Sequence, residues 1–258
     1  MQATRWFVDW RCAELPAIGW LTAGLLLAAA VLGLALFRER PRHAAMVYSP
    51  RLAWLRAGLY FCGVVLLATQ TGVMAALLAQ PPLRAGQLTD PLWLGLTALC
   101  VALFAWGYLY WWPRGTLTHG RRLYLLPTLL FGLAWGTSSA LLLLSVYALL
   151  ELLQWPAPVT ALLAFLLIAI YNMNYQSGWW DLHVSPPHNV RAWNARKVLG
   201  AHNPFLLATL AHLVLFGNVL IFVGLYAAAM ATSAVAMRLP PFWESDGPAV
   251  SLDSALGE

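Results

Sequence analysis

Long apolar runs separated by short polar segments dominate the pattern of this chain. The charge-free runs lie between Glu14 and Arg38, Arg56 and Arg84, Asp90 and Arg114, Arg122 and Glu151, Glu151 and Asp181, and Lys197 and Arg238. A helix needs about 20 residues to cross the hydrocarbon layer of a membrane, and every run is long enough. The pattern therefore predicts an all-α integral membrane protein, a bundle of six transmembrane helices.

The predicted helices begin or end near prolines, because the N–H that proline lacks is not needed for an intrahelical hydrogen bond at a helix terminus. They lie near residues 17–37, 55–80, 91–112, 123–150, 157–175 and 204–231. Asn203 before Pro204 is a suitable cap for the last helix. The last apolar run extends to Met237, which is too long for one straight crossing, so we expect that helix to tilt or to break near Thr232-Ser233.

The segments outside the six helices complete the predicted organisation. Residues 1–16 carry tryptophan beside charges of both signs and predict an interfacial N-terminal arm. Residues 17–237 form the transmembrane domain, and residues 238–258 are a polar C-terminal tail. Residues 189–203, with apolar positions for lipid and basic positions for phosphate, predict an interfacial helix between helices 5 and 6.

The amino-acid composition, rich in hydrophobic and poor in charged residues, also indicates a protein that is embedded in a lipid bilayer. Hydrophobic residues make up 61% and charged residues 10%, against roughly 25% charged residues in soluble domains. No basic helix face is long enough for a nucleic-acid duplex, which excludes that class of partner. Cys12, Cys62 and Cys100 are widely spaced and predict small core side chains rather than a disulfide or metal framework.

Lysine and arginine counts predict the orientation. Six crossings place Arg5, Arg11, Arg84 and Arg238 on one side, and the remaining eleven of the 15 basic residues on the other. By the positive-inside rule the second side faces the cytoplasm of a bacterial-type plasma membrane, and both termini face out. In this arrangement all six histidines, His43, His119, His183, His188, His202 and His212, fall in the cytoplasmic half.

The long polar interruption between helices 5 and 6 holds the candidate site. Asp181, His183 and His188 lie within eight residues, in a segment that Gly178 and the Pro186-Pro187 pair keep from being one continuous helix. Carboxylate with imidazole suits iron, copper or zinc. The same groups could instead transfer protons or contact lipid headgroups without a metal, or the loop could simply be solvated at the interface.

Further residues are assigned to this candidate site with separate roles. If residues 189–203 form a straight helix, His188 and His202 are about 21 Å apart. His202 then joins these metal ligands only if the chain folds back at Gly200, or it could pair with His119 or His43 from other loops. His212 lies inside a transmembrane helix and must face the bundle interior, as a cofactor ligand or as a hydrogen-bond partner of Thr137, Ser138, Ser139 or Asn172. We assign substrate contacts to Asn172, Asn174, Trp179, Trp180 and Arg191, and a second-tier role to His119.

Two short motifs resemble those of known membrane oxidases. His183-Val-Ser-Pro-Pro-His188 is similar to the first histidine box of membrane fatty-acid desaturases and hydroxylases, although the adjacent-histidine boxes that complete that di-iron centre do not occur here. The spacing of His188 and His202 is similar to a ligand pair in the C subunit of particulate copper monooxygenases. In that family an asparagine lies four residues before the first histidine, where this chain has Val184.

The leading hypothesis is an integral membrane enzyme that oxidises a lipid-soluble substrate with iron or copper at the Asp181, His183 and His188 site. The alternative is a non-catalytic subunit of a larger membrane complex that holds haem or a pigment through His202 or His212. A transporter is disfavoured because the helices lack paired internal charges and an evident repeat.

The expected partners are membrane lipids, a lipophilic small molecule and other membrane subunits. The clusters Arg38-Arg40-Arg42 and Arg121-Arg122 are expected to bind anionic lipid.

Overall fold

The described part of the chain is mainly helical, with one two-residue strand pairing. The computed structural model describes residues 45–46, 48–81, 83–113, 118, 120–179, 197–247 and 250–251, and residue 24 within a helix. The helices are α1 (Pro50–Gln70), α2 (Val73–Ala79), α3 (Pro91–Trp111), α4 (Leu125–Glu151), α5 (Ala157–Trp179), α6 (Val198–Phe216) and α7 (Val219–Met237), and the strands are β1 (Ala45–Met46) and β2 (Val250–Ser251). The predicted N-terminal arm 1–16 lies outside the described residues, as does nearly all of the predicted helix 17–37.

Five helices within the described ranges, α1, α3, α4, α6 and α7, are long and apolar enough to cross a membrane. This supports the prediction of a multi-pass helical membrane protein. Helix α5 begins near its predicted start and is apolar over Ala157–Tyr171. Helix α3 begins at Pro91, where the Asp90 carboxylate accepts hydrogen bonds from the Leu92 and Trp93 amides, a side-chain N-cap followed by proline at the first helical position.

The last apolar run folds as two helices rather than the single predicted helix 204–231. The break lies at Gly217 and Asn218, not at Thr232-Ser233. Gly217 adopts a left-handed conformation with φ 64°, and its N–H donates to the Leu213 carbonyl at 2.7 Å, as in the αL termination that favours glycine. Thr232 and Ser233 lie inside α7, where the Thr232 hydroxyl donates to the Ala228 carbonyl at 2.6 Å.

Because α6 and α7 form a hairpin, the chain returns to the face from which α6 started. Strand β2 pairs antiparallel with β1 just before α1, and the Thr118 hydroxyl before α4 donates to the Met237 carbonyl at 2.5 Å. The segment that follows α7 therefore lies on the same face as the starts of α1 and α4. The prediction that the segment after α7 lies on the opposite side from the start of α1 is wrong.

We call this side the basic face and the other the opposite face. Among the described residues the basic face carries Arg51, Arg56, Arg121, Arg122, Lys197 and Arg238, and the opposite face carries Arg84. Moving Arg238 from one side to the other strengthens the charge asymmetry that the sequence indicated. Its backbone is left-handed, with φ 55°, and this conformation ends α7 and turns the chain across the face.

The predicted helix 55–80 and the predicted interfacial helix 189–203 also differ from the structure. Thr71 and Gly72 separate α1 from α2, with Gly72 left-handed at φ 76°. Residues 198–203 belong to the membrane-crossing helix α6, whose first turns, Val198–His202, are π-helical. Asn203 has helical dihedral angles and so lies within the helix instead of capping it. Pro204 has no N–H to bond the carbonyl four residues earlier, which is consistent with wider π-helical hydrogen bonding just before it.

Helix α4 is the centre of the bundle and packs most extensively against α7. Every residue from Ala140 to Glu151 is buried, so this half of α4 is enclosed on all sides. Towards the basic face, Gly132 and Gly136 let the two backbones meet. A Cβ atom on Gly132 would lie 2.5 Å from the Ala231 Cα, and one on Gly136 would lie 2.7 Å from the Ala227 Cα. This is a Gly-x-x-x-Gly crossing, in which small residues allow close van der Waals packing.

Candidate functional site

Most residues of the predicted site lie outside the part of the chain that the structure describes. Asp181, His183, His188, Arg191 and Trp180 are among them, as are His43, His119 and the side chains of Asn172, Asn174 and Trp179. These assignments therefore remain predictions. His202 and His212 are described, and both are buried.

The two described histidines lie towards different faces of the membrane. His202 is in the first turns of α6 at the basic face, and His212 is one turn before Phe216, at the other end of the same helix. Ten residues of helix separate them by about 15 Å, so they cannot share one metal ion. The expectation that all six histidines occupy one half of the membrane is wrong, because it placed the start of the last helix at residue 204 and carried that helix past Gly217.

His202 forms a buried pair with Tyr108 of α3. The Tyr108 hydroxyl hydrogen-bonds to His202 Nδ1, and the two rings meet edge to face with their centroids 6.0 Å apart. Both side chains are only 2% exposed. Breaking this bond would leave a buried imidazole nitrogen without a partner, at the cost of its full desolvation penalty. The contact therefore fixes the position of His202 and joins α6 to α3.

Tyr108 and His202 both lie in π-helical turns, Ala105–Trp111 in α3 and Val198–His202 in α6, and the two turns pack together. Glycine makes that approach close. A Cβ atom on Gly107 would lie 2.8 Å from the Ala201 Cβ, and one on Gly200 would overlap the Trp111 ring. π-Helical turns within α-helices are rare and occur frequently at functional sites. Two of them facing each other mark this crossing as the candidate site among the described residues.

Lys197 adds a buried cation directly before the membrane-crossing part of α6. Its side chain is 1% exposed, and its Nζ donates to the Trp112 carbonyl at 3.1 Å. That carbonyl follows the last turn of α3, where the helix dipole favours positive charge. Burial lowers the pKa of Lys197 to about 8, because an ammonium group is less stable away from water. The sequence pattern had predicted a different place for Lys197, on a lipid-facing surface helix and towards phosphates.

His212 bonds to a partner that the sequence pattern did not indicate. Its Nε2 lies 3.0 Å from the Thr97 hydroxyl of α3, and the Trp93 and Phe216 rings flank it at centroid distances of 5.7 and 5.2 Å. The predicted partners Ser138 and Ser139 instead donate to carbonyls of their own helix. Within the described residues, His212 Nδ1 is buried with no hydrogen-bond partner.

A polar network joins the α6–α7 turn to α3 at the opposite face. The Gln87 and Asn218 side-chain amides bond reciprocally, at 2.7 and 3.2 Å, and the Trp93 indole donates to the same Asn218 oxygen at 3.2 Å. All three side chains are buried. Gln87 and Asn218 are 131 positions apart, and nothing in the spacing of the sequence pairs them.

The described residues do not by themselves form a metal centre. They contain no group of three His, Cys, Asp or Glu side chains close enough to hold an ion. His202 could reach a metal only through Nε2, because Nδ1 is bonded to Tyr108, and only in the tautomer in which Nδ1 carries the proton. His202 can therefore contribute one ligand at most, and the described residues do not supply the rest of a metal site.

Replacing Tyr108 by phenylalanine tests the role of this pair. We expect Tyr108→Phe to reduce the free energy of unfolding by about 1–3 kcal/mol, because His202 Nδ1 stays buried without its partner. Thermal unfolding in detergent measures the change. Tyr110→Phe, on the half-exposed surface of the same π-helical turns, is the matched control. Equal melting temperatures for the two variants would contradict a stabilising Tyr108–His202 bond.

No protein-family model, no curated protein and no solved structure matches this chain, so its function is inferred from the arrangement of its own residues.

Proposed function

We propose that this protein is an integral membrane enzyme that acts on a lipid-soluble substrate at its basic face. One observation carries the proposal: the buried Tyr108–His202 pair between two facing π-helical turns, with Lys197 buried beside the end of α3. Buried polar groups in membrane helices are expensive and mark functional sites by default. Lys197 directly follows the segment that holds Asp181, His183 and His188, so the predicted loop residues adjoin this group in the chain.

The proposed orientation places the basic face in the cytoplasm. The described basic residues concentrate on that face, and the positive-inside rule assigns such a face to the cytoplasm. Together with the predicted helix 17–37 and with α5, the five spans make seven crossings. The N-terminus is then outside and the C-terminus in the cytoplasm.

The proposed reaction is an oxidation that depends on iron or copper. When bound, such a metal supplies the oxygen chemistry that unactivated carbon requires. Asp181, His183 and His188 would hold it, with His202 as a further ligand through Nε2. Tyr108 would orient the His202 ring. Asn172, Asn174, Trp179, Trp180 and Arg191 stay assigned to the substrate.

Metal analysis of the purified protein tests this proposal. We expect iron or copper near one or two equivalents per chain, and loss of most of it in an Asp181→Ala, His183→Ala double variant, because a site that loses two ligands is no longer closed around the ion. An Asp90→Ala variant at the opposite face is the control and should keep the metal. If the unaltered protein contains neither metal after purification without chelator, the metal-dependent enzyme is ruled out.

The second candidate, a cofactor-holding subunit of a larger membrane complex, is favoured by one observation. His212 Nδ1 is buried without a partner among the described residues, and the imidazole ring contacts the rings of Trp93 and Phe216. Haem iron or a pigment would reach His212 through Nδ1, since Nε2 is at hydrogen-bond distance from Thr97. A Soret or pigment absorption band that disappears in His212→Leu and persists in His202→Leu would support this function, and a featureless spectrum would exclude it.

A further inference from the structure

The fold brings together three arginines that the sequence places far apart. Arg121 and Arg122 precede α4, and Arg238 follows α7, yet the Arg238 guanidinium donates to the Arg121 backbone carbonyl at 3.3 Å. We call Arg121, Arg122 and Arg238 the arginine rim. It exists only because α6 and α7 are separate crossings, which returns Arg238 to the basic face.

The rim consists of cations without carboxylate partners among the described residues. Arg121 donates to the Ser245 carbonyl at 3.1 Å and lies over the Tyr48 ring at 5.6 Å, while Arg122 lies over the Tyr124 ring at 5.3 Å. Within the described residues after α7, the carboxylates are those of Glu244, which accepts the Tyr124 hydroxyl bond, and Asp246. No carboxylate of the described residues therefore neutralises the rim, and its side-chain bonds to backbone carbonyls use only a few of its N–H donors.

The surroundings of the rim are those of a membrane interface. The chain emerges here from the spans α4 and α7, and besides the exposed polar residues Ser245 and Asp246 the arginines have exposed apolar and aromatic neighbours. They are Leu123, Leu125, Leu126, Phe242 and Trp243, which are 40% to 68% exposed. The Trp243 ring contacts Tyr124 edge to face at 6.3 Å. Such a belt of aromatic and leucine side chains meets the upper acyl chain while guanidinium groups lie at phosphate depth.

We propose that the arginine rim binds the headgroup phosphate of an anionic phospholipid, whose acyl chains lie against the leucine and aromatic side chains beside it. Guanidinium groups bind phosphate through paired, charge-assisted hydrogen bonds. A membrane lipid fits better than free phosphate because the apolar side chains need an acyl partner. The site does not depend on the proposed enzymatic function, and it holds together the starts of α1 and α4 and the segment after α7.

Native mass spectrometry of the detergent-solubilised full chain, titrated with phosphatidylglycerol or phosphatidylcholine, tests the site. We expect preferential binding of phosphatidylglycerol, and a decrease in its affinity of about fivefold for each rim arginine replaced, since one basic residue near a charged membrane contributes about 1 kcal/mol. The variants are Arg122→Gln and Arg238→Gln. Arg84→Gln at the opposite face is the matched control and should bind as the unaltered protein does.

The two rim variants differ in their risk of misfolding. The Arg122 side chain contacts the neighbouring Tyr124 ring and bridges no two helices, so Arg122→Gln should fold even if Arg238→Gln does not. Equal affinity for the two lipids, or an equal effect of Arg84→Gln, would refute the site. Competition by millimolar inorganic phosphate as strong as by the lipid would show that the rim takes free phosphate and would refute the lipid assignment.

Discussion

A Gly136→Leu variant is expected to lose most of its folded population. A Cβ atom at Gly136 would lie 2.7 Å from the Ala227 Cα of α7, so even the first side-chain carbon must push two backbones apart. Overpacking of a tight interior costs about 1–3 kcal/mol for a few added atoms, and leucine adds a whole branched side chain at the most extensive helix contact of the bundle. Since α4 is also the helix that the others surround, separation from α7 should spread through the whole core. Thermal unfolding and size-exclusion profiles in mild detergent measure the loss.

Gly95→Leu is the matched control for this prediction. Gly95 lies inside the membrane-crossing helix α3, and a Cβ atom added there would have nothing within 4 Å, so the same added side chain points to lipid. We expect its melting temperature to stay close to that of the unaltered protein. A Gly136→Leu protein as stable as Gly95→Leu would show that α4 and α7 do not cross at these glycines.

A reporter fused at the C-terminus is expected to lie in the cytoplasm. Green fluorescent protein should fluoresce there, and alkaline phosphatase, which is active only outside the cytoplasm, should stay inactive. The expected difference is all or none, because α6 and α7 place the segment after α7 beside β1 and the start of α4. A phosphatase inserted at Gly86, on the opposite face, is the positive control and should be active.

A second fusion, truncated after Arg122, separates the two parts of this prediction. The structure requires the fusions after Arg122 and at the C-terminus to report the same side of the membrane. The positive-inside rule adds that this side is the cytoplasm. Activity of both phosphatase fusions would reverse the orientation and leave the fold intact, whereas opposite results would contradict the α6–α7 hairpin itself.

The helix positions that follow from run length alone were predicted well. The predicted helices 91–112 and 123–150 agree with α3 and α4 to within about two residues at each end, because charges and prolines bound those runs and lipid solvation sets the minimum length. The run after Lys197 has no internal charge. Nothing in its hydropathy marks Gly217, and a single glycine within an apolar helix is common in membranes.

The candidate site could be predicted only as a list of residue types. His212 was predicted to face the bundle interior and His202 to lie in an interfacial helix, but Thr97 and Tyr108 were not among the partners assigned to them. Tyr108 lies 94 positions from His202, and Thr97 lies 115 positions from His212, so both pairings depend on how α6 packs against α3. Lys197 was interpreted as a surface cation because a lysine beside an apolar run is ordinarily solvated. Its burial beside the Trp112 carbonyl depends on how the start of α6 meets the end of α3, which no hydropathy pattern reveals.

By itself, the sequence determined that this protein is solvated by lipid, which stretches can cross the membrane, and that its basic residues are asymmetrically placed. Each of these properties follows from the local residue composition. Because charged side chains are costly to bury in hydrocarbon, the properties do not depend on which residues pack together in the fold. Only the tertiary structure decided where the last run turns, which face receives Arg238, and which side chains meet His202 and His212. These depend on contacts between distant residues: the turn at the left-handed Gly217 is joined to the segment before α3 by the reciprocal amide pair of Gln87 and Asn218.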